Sequence, residues 1–152
     1  MTRNSVVKTF AGLFLALILT STLSVRSLAQ EKKSLYDRVG GYNALAAVVD
    51  DFIARLVADQ RFTKFFDGHS TDSLKRIRQH ILNQFCEGTG GPCIYTGRDM
   101  KTTHTGLKIS EEEWDAAAKH LVASLEKFKV AKQEKDEVVA FVMSLKKDTV
   151  EK

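Results

Sequence analysis

Four stretches of this chain carry apolar residues at spacings of three and four, and no convincing stretch alternates them. That periodicity restricts the chain to helices, each with one buried face. Leu45, Val48, Val49, Phe52, Ile53 and Leu56 define a helix from about Tyr42 to Val57. Leu74, Ile77, Ile81 and Phe85 define a second, from about Asp72 to Cys86. A third starts behind Ser110, which stands at capping-box spacing to Glu113, and runs to about Phe128. The fourth, from about Lys132 to Lys147, turns Val138, Phe141, Val142 and Leu145 inward. A short turn, Ser34 to Val39, precedes them and is stopped by Gly40 and Gly41. Its Ser34 and Asp37 have capping-box spacing, with Asp in place of Glu. The single proline is Pro92, and there is no internal repeat or low-complexity linker. The fold class read from this pattern is all-α.

The N-terminal segment has a different character. Arg3 and Lys8 precede an apolar run from Phe10 to Leu19, and Ser27 and Ala29 supply small residues at a cleavage position. These are the three regions of a secretory signal peptide, here residues 1–29. An apolar run of about ten residues is short for a bilayer span, which needs roughly 20. The expectation is therefore cleavage, export to a periplasm or the exterior, and no stable membrane insertion afterwards. Residues 1–29 contain Arg3, Lys8 and Arg26 and no acid, so the formal charge of +4 falls to +1 without them. Bulk charge then gives no argument for nucleic acid. Residues 30–152 are enough for one domain with one core, read as a monomer or weak oligomer.

One irregular stretch, Gly88 to Ile109, separates the second and third long helices. A loop of about 20 residues inside a small domain is usually functional. It contains MKTTHTG, whose threonines and glycine make it a poor helix former, and within it His104. His80 lies 24 residues earlier, near the inward face of the second helix. If that helix and the loop flank a flat cavity, two imidazoles can face each other across it. Haem asks for an apolar slot, an axial nitrogen and rim residues for its propionates. There is no Cys-x-x-Cys-His, which excludes c-type attachment. Against this stands the ordinary reading, in which a lone histidine is a satisfied polar residue.

Cys86 and Cys93 bracket CEGTGGPC. Export permits a disulfide there, and two buried thiols are the alternative. A zinc site has no standard spacing to rest on.

LYDRVGGYNALAAVVDDFIARLVADQRFTKFF, followed by GTGGPCIYTGRDMKTTHTGLKIS, resembles a truncated haemoglobin of group I, from about Ser34 to Leu145. The motifs are Gly40-Gly41 after a one-turn first helix, Phe65-Phe66, Gly90-Gly91, and Tyr-Thr-Gly followed by Met-Lys-x-x-His. The resemblance implies a two-over-two helical sandwich around haem b, with His104 as proximal iron ligand on a very short helix. It implies that Phe66 wedges against the haem plane, and that Tyr95, Met100 and Lys101 lie near its edge, Lys101 within reach of a propionate. Trp114 and Leu121 would close the inner wall, and Phe52, Phe85, Leu107 and Ile109 would belong to the same apolar surround. The two glycine pairs would turn the chain at positive φ. His69 and His120 receive no role and read as surface or helix-face residues.

On the distal side the alignment places Ile53, Ile77 and Ile81 where well-known relatives carry tyrosine and glutamines. A hydrogen bond to bound dioxygen is worth roughly 1–3 kcal/mol, so such a pocket lacks that contribution. His80 aligns with a position that supplies a second axial histidine in some cyanobacterial members. Two readings stand: His80 binds the iron, or it swings to solvent. Gln79 and Gln84 are on neighbouring faces and enter if the register differs by one.

The function implied is binding of a diatomic gas (O2, NO or CO) at haem iron, more a ligand-binding role than an enzyme's, with no catalytic residue assigned. The alternatives are electron transfer with a redox partner, favoured by two axial histidines, and nitric oxide dioxygenation or peroxidase-like chemistry. A haem-free helical interaction module is a further class, which predicts no cofactor.

Overall fold

The computed structural model describes residues 33–152; the expected signal segment, residues 1–29, lies outside them. The described residues form helices and connectors, with no strand among them. Helix α1 spans Leu35–Val39, α2 Gly41–Ala58, α3 Thr63–Phe66, α4 Thr71–Gly88, α5 Met100–His104, α6 Glu111–Lys127 and α7 Lys132–Ser144. A 3-10 turn, Gln60–Phe62, leads into α3, and another, Lys146–Asp148, follows α7. None of these helices is long and apolar enough to cross a membrane.

The start signals read from sequence operate as local chemistry. Ser110 Oγ accepts the Glu113 N–H at 3.2 Å, while the Glu113 carboxylate accepts the Ser110 N–H at 2.9 Å, so the capping box before α6 is complete. At α1 only half of the motif forms. Ser34 Oγ accepts the Asp37 N–H at 3.1 Å, and its hydroxyl donates to the shorter Asp37 carboxylate at 2.8 Å. Ser70 caps α4 by accepting the Ser73 N–H. Gly40 and Gly41 take φ of +111° and +74°, which sends α2 off directly behind α1.

The long helices pack as two pairs around one apolar core. Helix α2 lies against both α4 and α6, and α6 lies against α7. Their facing stripes supply Leu45, Val48 and Val49 from α2, Leu82, Phe85 and Cys86 from α4, Leu121 and Leu125 from α6 and Val138 from α7. A smaller cluster, Leu56, Phe62 and Ala116 with Phe65 and Phe66 against it, closes the far end. Charged groups tie the outside. Arg38 on α1 bonds both Glu134, at 2.7 Å, and Glu137 on α7. Asp51 on α2 joins Arg55 at 2.6 Å, Lys127 at 2.5 Å and the buried Ser124 hydroxyl at 2.8 Å.

The connector ADQRFTKFF winds into the 3-10 turn and α3. His120, read as a helix-face residue, is a structural partner there: its Nε2 is 2.8 Å from Asp59 Oδ2, and its ring meets Phe62 edge-on. The second glycine pair also works differently from the first. Gly90 has φ +82°, but Gly91 does not have positive φ and is needed for space. A Cβ there would sit 2.5 Å from the Tyr36 ring and 2.7 Å from Cys86 Sγ.

Candidate functional site

Between α4 and the stretch containing α5 lies a cavity of about 580 Å³. One wall is α4, whose Ile77, His80, Ile81, Gln84 and Phe85 recur at threes and fours and share a face. The opposite wall is Met100, Thr103, His104, Leu107 and Ile109. Phe52 and Leu56 of α2, Phe62, Phe65 and Phe66 of the connector, and Trp114, Ala117, Ala118 and Leu121 of α6 form the apolar interior.

MKTTH becomes a helix because Asp99 caps it. The Asp99 carboxylate accepts the Thr102 N–H at 2.8 Å and the Thr102 hydroxyl at 2.7 Å. Those bonds, the Thr102 N–H first, hold the carboxyl below its usual range. Ahead of the cap, Tyr95 folds over Gly97 and its hydroxyl donates to the Arg98 carbonyl at 2.6 Å. A Cβ on Gly97 would lie 2.3 Å from that hydroxyl, so only glycine permits the fold-back. Burial raises the Tyr95 phenol, keeping it neutral and a donor.

His104 Nδ1 lies 2.8 Å from the Met100 carbonyl. A carbonyl only accepts, so Nδ1 carries the hydrogen, and in the neutral ring the lone pair is then on Nε2. That is the tautomer of a metal-ligating histidine with its second nitrogen anchored. Gln84 Nε2 donates to the Met100 sulfur at 3.1 Å, which couples α4 to α5. His80 also lines the cavity, exposed at its mouth, with its ring edge-on to Tyr95 at 6.1 Å between centroids.

Charge is confined to the margin. Arg98 and Glu113 line the cavity, and Lys64 pairs with Glu113 at 2.6 Å. Burial acts to raise the Glu113 carboxyl, but the Lys64 pair and the Ser110 N–H outweigh it and leave it lowered. A slot with apolar walls, a tautomer-fixed imidazole and a cation at the margin suits haem: face, iron and carboxylates each find a matching group. Among the described residues no cluster of three or more His, Cys, Asp or Glu offers a different metal site.

Thirteen of the fifteen residues expected around a cofactor line this cavity: Phe52, Phe66, Ile77, His80, Ile81, Phe85, Tyr95, Met100, His104, Leu107, Ile109, Trp114 and Leu121. Ile53 and Lys101 do not. Ile53 is one residue, about 100° of helix, from Phe52, and packs against the main core. Lys101 is exposed on α5, and Arg98 is the cation in the wall. His69, expected on the surface, is exposed and also lines the cavity. Leu56 and Ala117 were findable by extending each face one turn from Phe52 and from Trp114 or Leu121, and Gln84, placed on a neighbouring face by the sequence, lines the wall one turn from His80. Arg98 and Thr149 carry no local signal of this kind.

The cysteines form a disulfide, with Cα atoms 5.7 Å apart. It staples the end of α4 to the start of the loop that leads to α5. Gly91 N–H donates to the Cys86 carbonyl at 2.7 Å, and Thr89 Oγ1 donates to the Phe85 carbonyl at 2.7 Å, completing the turn.

Residues 34–151 match the family profile of the bacterial-like globins. The chain belongs to that family. Group 1 truncated hemoglobin GlbN of Mycolicibacterium paratuberculosis is 33% identical over 115 residues, covering 76% of this chain and 82% of the relative. The protein of that name from Nostoc commune is 39% identical over 88 residues, 58% of this chain and 72% of the relative. Among solved structures, the Fe(III) truncated hemoglobin of Tetrahymena pyriformis superposes with a TM-score of 0.72 at 28% identity, covering 79% of this chain and all of that one. The 2/2 hemoglobin of Synechococcus, solved in the cyanomet state with covalently attached heme, gives 0.68 at 29% identity, covering 75% and 94%. The fold is therefore a two-over-two truncated globin, and haem is its cofactor.

Proposed function

We propose that this globin binds a diatomic gas reversibly at haem iron, with His104 as the proximal ligand. The observation that carries the reading is the His104 Nδ1 contact to the Met100 carbonyl at 2.8 Å, with the ring in the cavity wall. Bound haem supplies an iron with a position open to O2, NO or CO. The chain's own residues hold the imidazole, exclude water and set polarity on the other side. There, Ile77, Ile81 and Phe85 make an apolar surface. Gln84 is engaged by Met100, and the Tyr95 hydroxyl by Arg98. His80 is the side chain of α4 best placed to answer the partial charge of a bound gas.

A second reading rests on that same residue. His80 projects from α4 toward the cavity that His104 lines from the other wall. If His80 takes the sixth iron position, an external ligand must displace it, and electron transfer with a redox partner becomes the better-supported role. We further propose export. Residues 1–29 read as a signal segment, and the Cys86–Cys93 disulfide suits an oxidising compartment.

Optical spectra of the haem-loaded protein, ferric and dithionite-reduced, test both readings in wild type, His80→Ala and His104→Gly. Five-coordinate ferrous haem that is unchanged by His80→Ala supports gas binding at an open position. Low-spin spectra that turn high-spin in His80→Ala support the six-coordinate reading. A His104→Gly spectrum identical to wild type sinks the proximal assignment.

A further inference from the structure

The loop that follows His104 is held by a residue more than 40 positions away. Glu151 Oε1 accepts the Gly106 N–H at 2.9 Å, and Oε2 accepts the Lys108 N–H at 2.6 Å. The two segments are also paired through their backbones. Glu151 N–H donates to the Ile109 carbonyl at 2.9 Å, and Glu111 N–H donates to the Lys152 carbonyl at 3.3 Å. The clasp therefore spans the whole segment from α5 to α6. Just before it, the 3-10 turn Lys146–Asp148 packs on α5, and Thr149 lines the cavity.

This loop needs an external hold. Helix α5 has five residues and none of them is buried. Gly106 has φ +88°, and Lys108 has φ +55°, a left-handed conformation that a side chain takes at a cost. Leu107 N–H returns to the His104 carbonyl at 3.0 Å, so the turn begins on the histidine itself. A carboxylate that takes two N–H groups of one turn fixes the direction of both peptide planes. Gly106 and Lys108 are two and four residues from His104, so their planes set where α5 ends.

We propose that Glu151 is a positioning residue for the proximal histidine: its carboxylate locks the 106–108 turn and thereby fixes the height and tilt of the His104 imidazole toward the iron. The proposal rests on His104 being the proximal ligand. Glu151 is not one of the residues that line the cavity; it holds the turn by its two hydrogen bonds, and its charge also lies close enough to His104 to interact with it. Its consequence is a link between the 149–152 segment and the strength of the iron–histidine bond.

The test uses the full-chain haem-loaded protein in a His80→Ala background, which removes the competing axial imidazole. Glu151→Ala, Glu151→Gln, His104→Gly and Lys135→Ala are compared. Lys135→Ala breaks the 2.6 Å pair with Glu126, an ion pair of the surface between α6 and α7. Two readouts are taken: the iron–histidine stretching band of the ferrous form by resonance Raman, and the rate of haem transfer to excess apomyoglobin. Expected for Glu151→Ala is a shifted or broadened band and haem loss faster by about tenfold, the scale of a lost hydrogen bond to a charged group. Glu151→Gln keeps one carbonyl acceptor and falls between Ala and wild type. Lys135→Ala leaves both readouts at wild-type values. An unchanged band and haem loss within about twofold of wild type in both Glu151 variants overturns the proposal, with the smaller limit set well under one hydrogen bond. If His104→Gly keeps the band, the proximal assignment and this proposal fall together; if only the Glu151 variants keep it, this proposal falls alone.

Discussion

Helices α4 and α5 carry His80 and His104, and the two histidines reach the cavity by opposite means. Helix α4 has 18 residues and buries Leu82, Phe85 and Cys86, so packing along its own length fixes His80. Helix α5 has five residues and buries none. Its position comes from ties made elsewhere: the Asp99 cap, the Tyr95 fold-back, the Gln84 bond to Met100, the disulfide and the Glu151 clasp. A long amphipathic helix is placed by many small apolar contacts that average out errors. A short one is placed by a few directional bonds, and each is separately removable. The α5 wall is therefore the part of this protein most open to adjustment by remote residues.

The sharpest way to break this contrast is at the histidines. His104→Gly is expected to weaken haem binding on the order of a thousandfold, beyond the roughly 10–100-fold that loss of a metal ligand's supporting partner costs. His80→Ala is expected to leave haem affinity within about tenfold and to act on the gas-binding side. Haem titration followed at the Soret band measures both. Equal losses would erase the distinction between the two walls.

Leu82→Ala attacks α4 through its packing. Leu82 is fully buried, and the change is expected to cost about 3 kcal/mol in urea unfolding. An effect under about 1 kcal/mol would mean that α4 is not held by its core face. Opening the staple comes next. The Cys86→Ser, Cys93→Ser double variant frees the turn between α4 and the loop. By loop entropy alone it is expected to lower stability by about 2 kcal/mol, with urea midpoints compared with and without dithiol for the wild type. A drop that dithiol treatment does not reproduce would point to packing of Cys86 as the cause.

Ser110→Ala is expected to cost about 1 kcal/mol by removing one half of the capping box before α6. The mildest effect is on acid response. The Asp99 carboxyl is held below its usual range by the Thr102 N–H, so the folded form binds its proton less readily than the unfolded one. Its contribution is fully present above the ordinary carboxylate pKa of about 4 and is lost as pH falls through the lower folded value. Asp99→Asn keeps an acceptor without the charge. The prediction is a flatter acid limb in haem retention between pH 5 and pH 3, read at the Soret band, and an unchanged limb would count against it.

The helices were legible because their signals are local. Leu45, Val48 and Val49 on one helix, and the Ser110–Glu113 box before another, act within a few residues and need no partner to be read. The apolar face of α4, read from Leu74, Ile77, Ile81 and Phe85, supplies Ile77, Ile81 and Phe85 to one wall of the cavity. His104 itself was marked by its place in an irregular stretch and by the family motif around it. Ile53 aligns with a cavity position, yet it is its neighbour Phe52 that lines the cavity in this structure. Gly91 and Gly97 were visible as glycines, but the demand on them is a ring or sulfur from a distant element, Tyr36 and Cys86 for one and Tyr95 for the other.

By itself, then, the sequence determined which segments become helices, which faces they bury, and that an imidazole stands in the loop between them, because capping and periodicity act over a turn or two of chain. Only the tertiary structure decided which way that imidazole points. The ring's own anchor, the Met100 carbonyl, is local, but the groups that place α5 come from α4, from the Tyr95 turn and from Glu151, which is 45 residues beyond Gly106, and no local pattern encodes a bond across that distance.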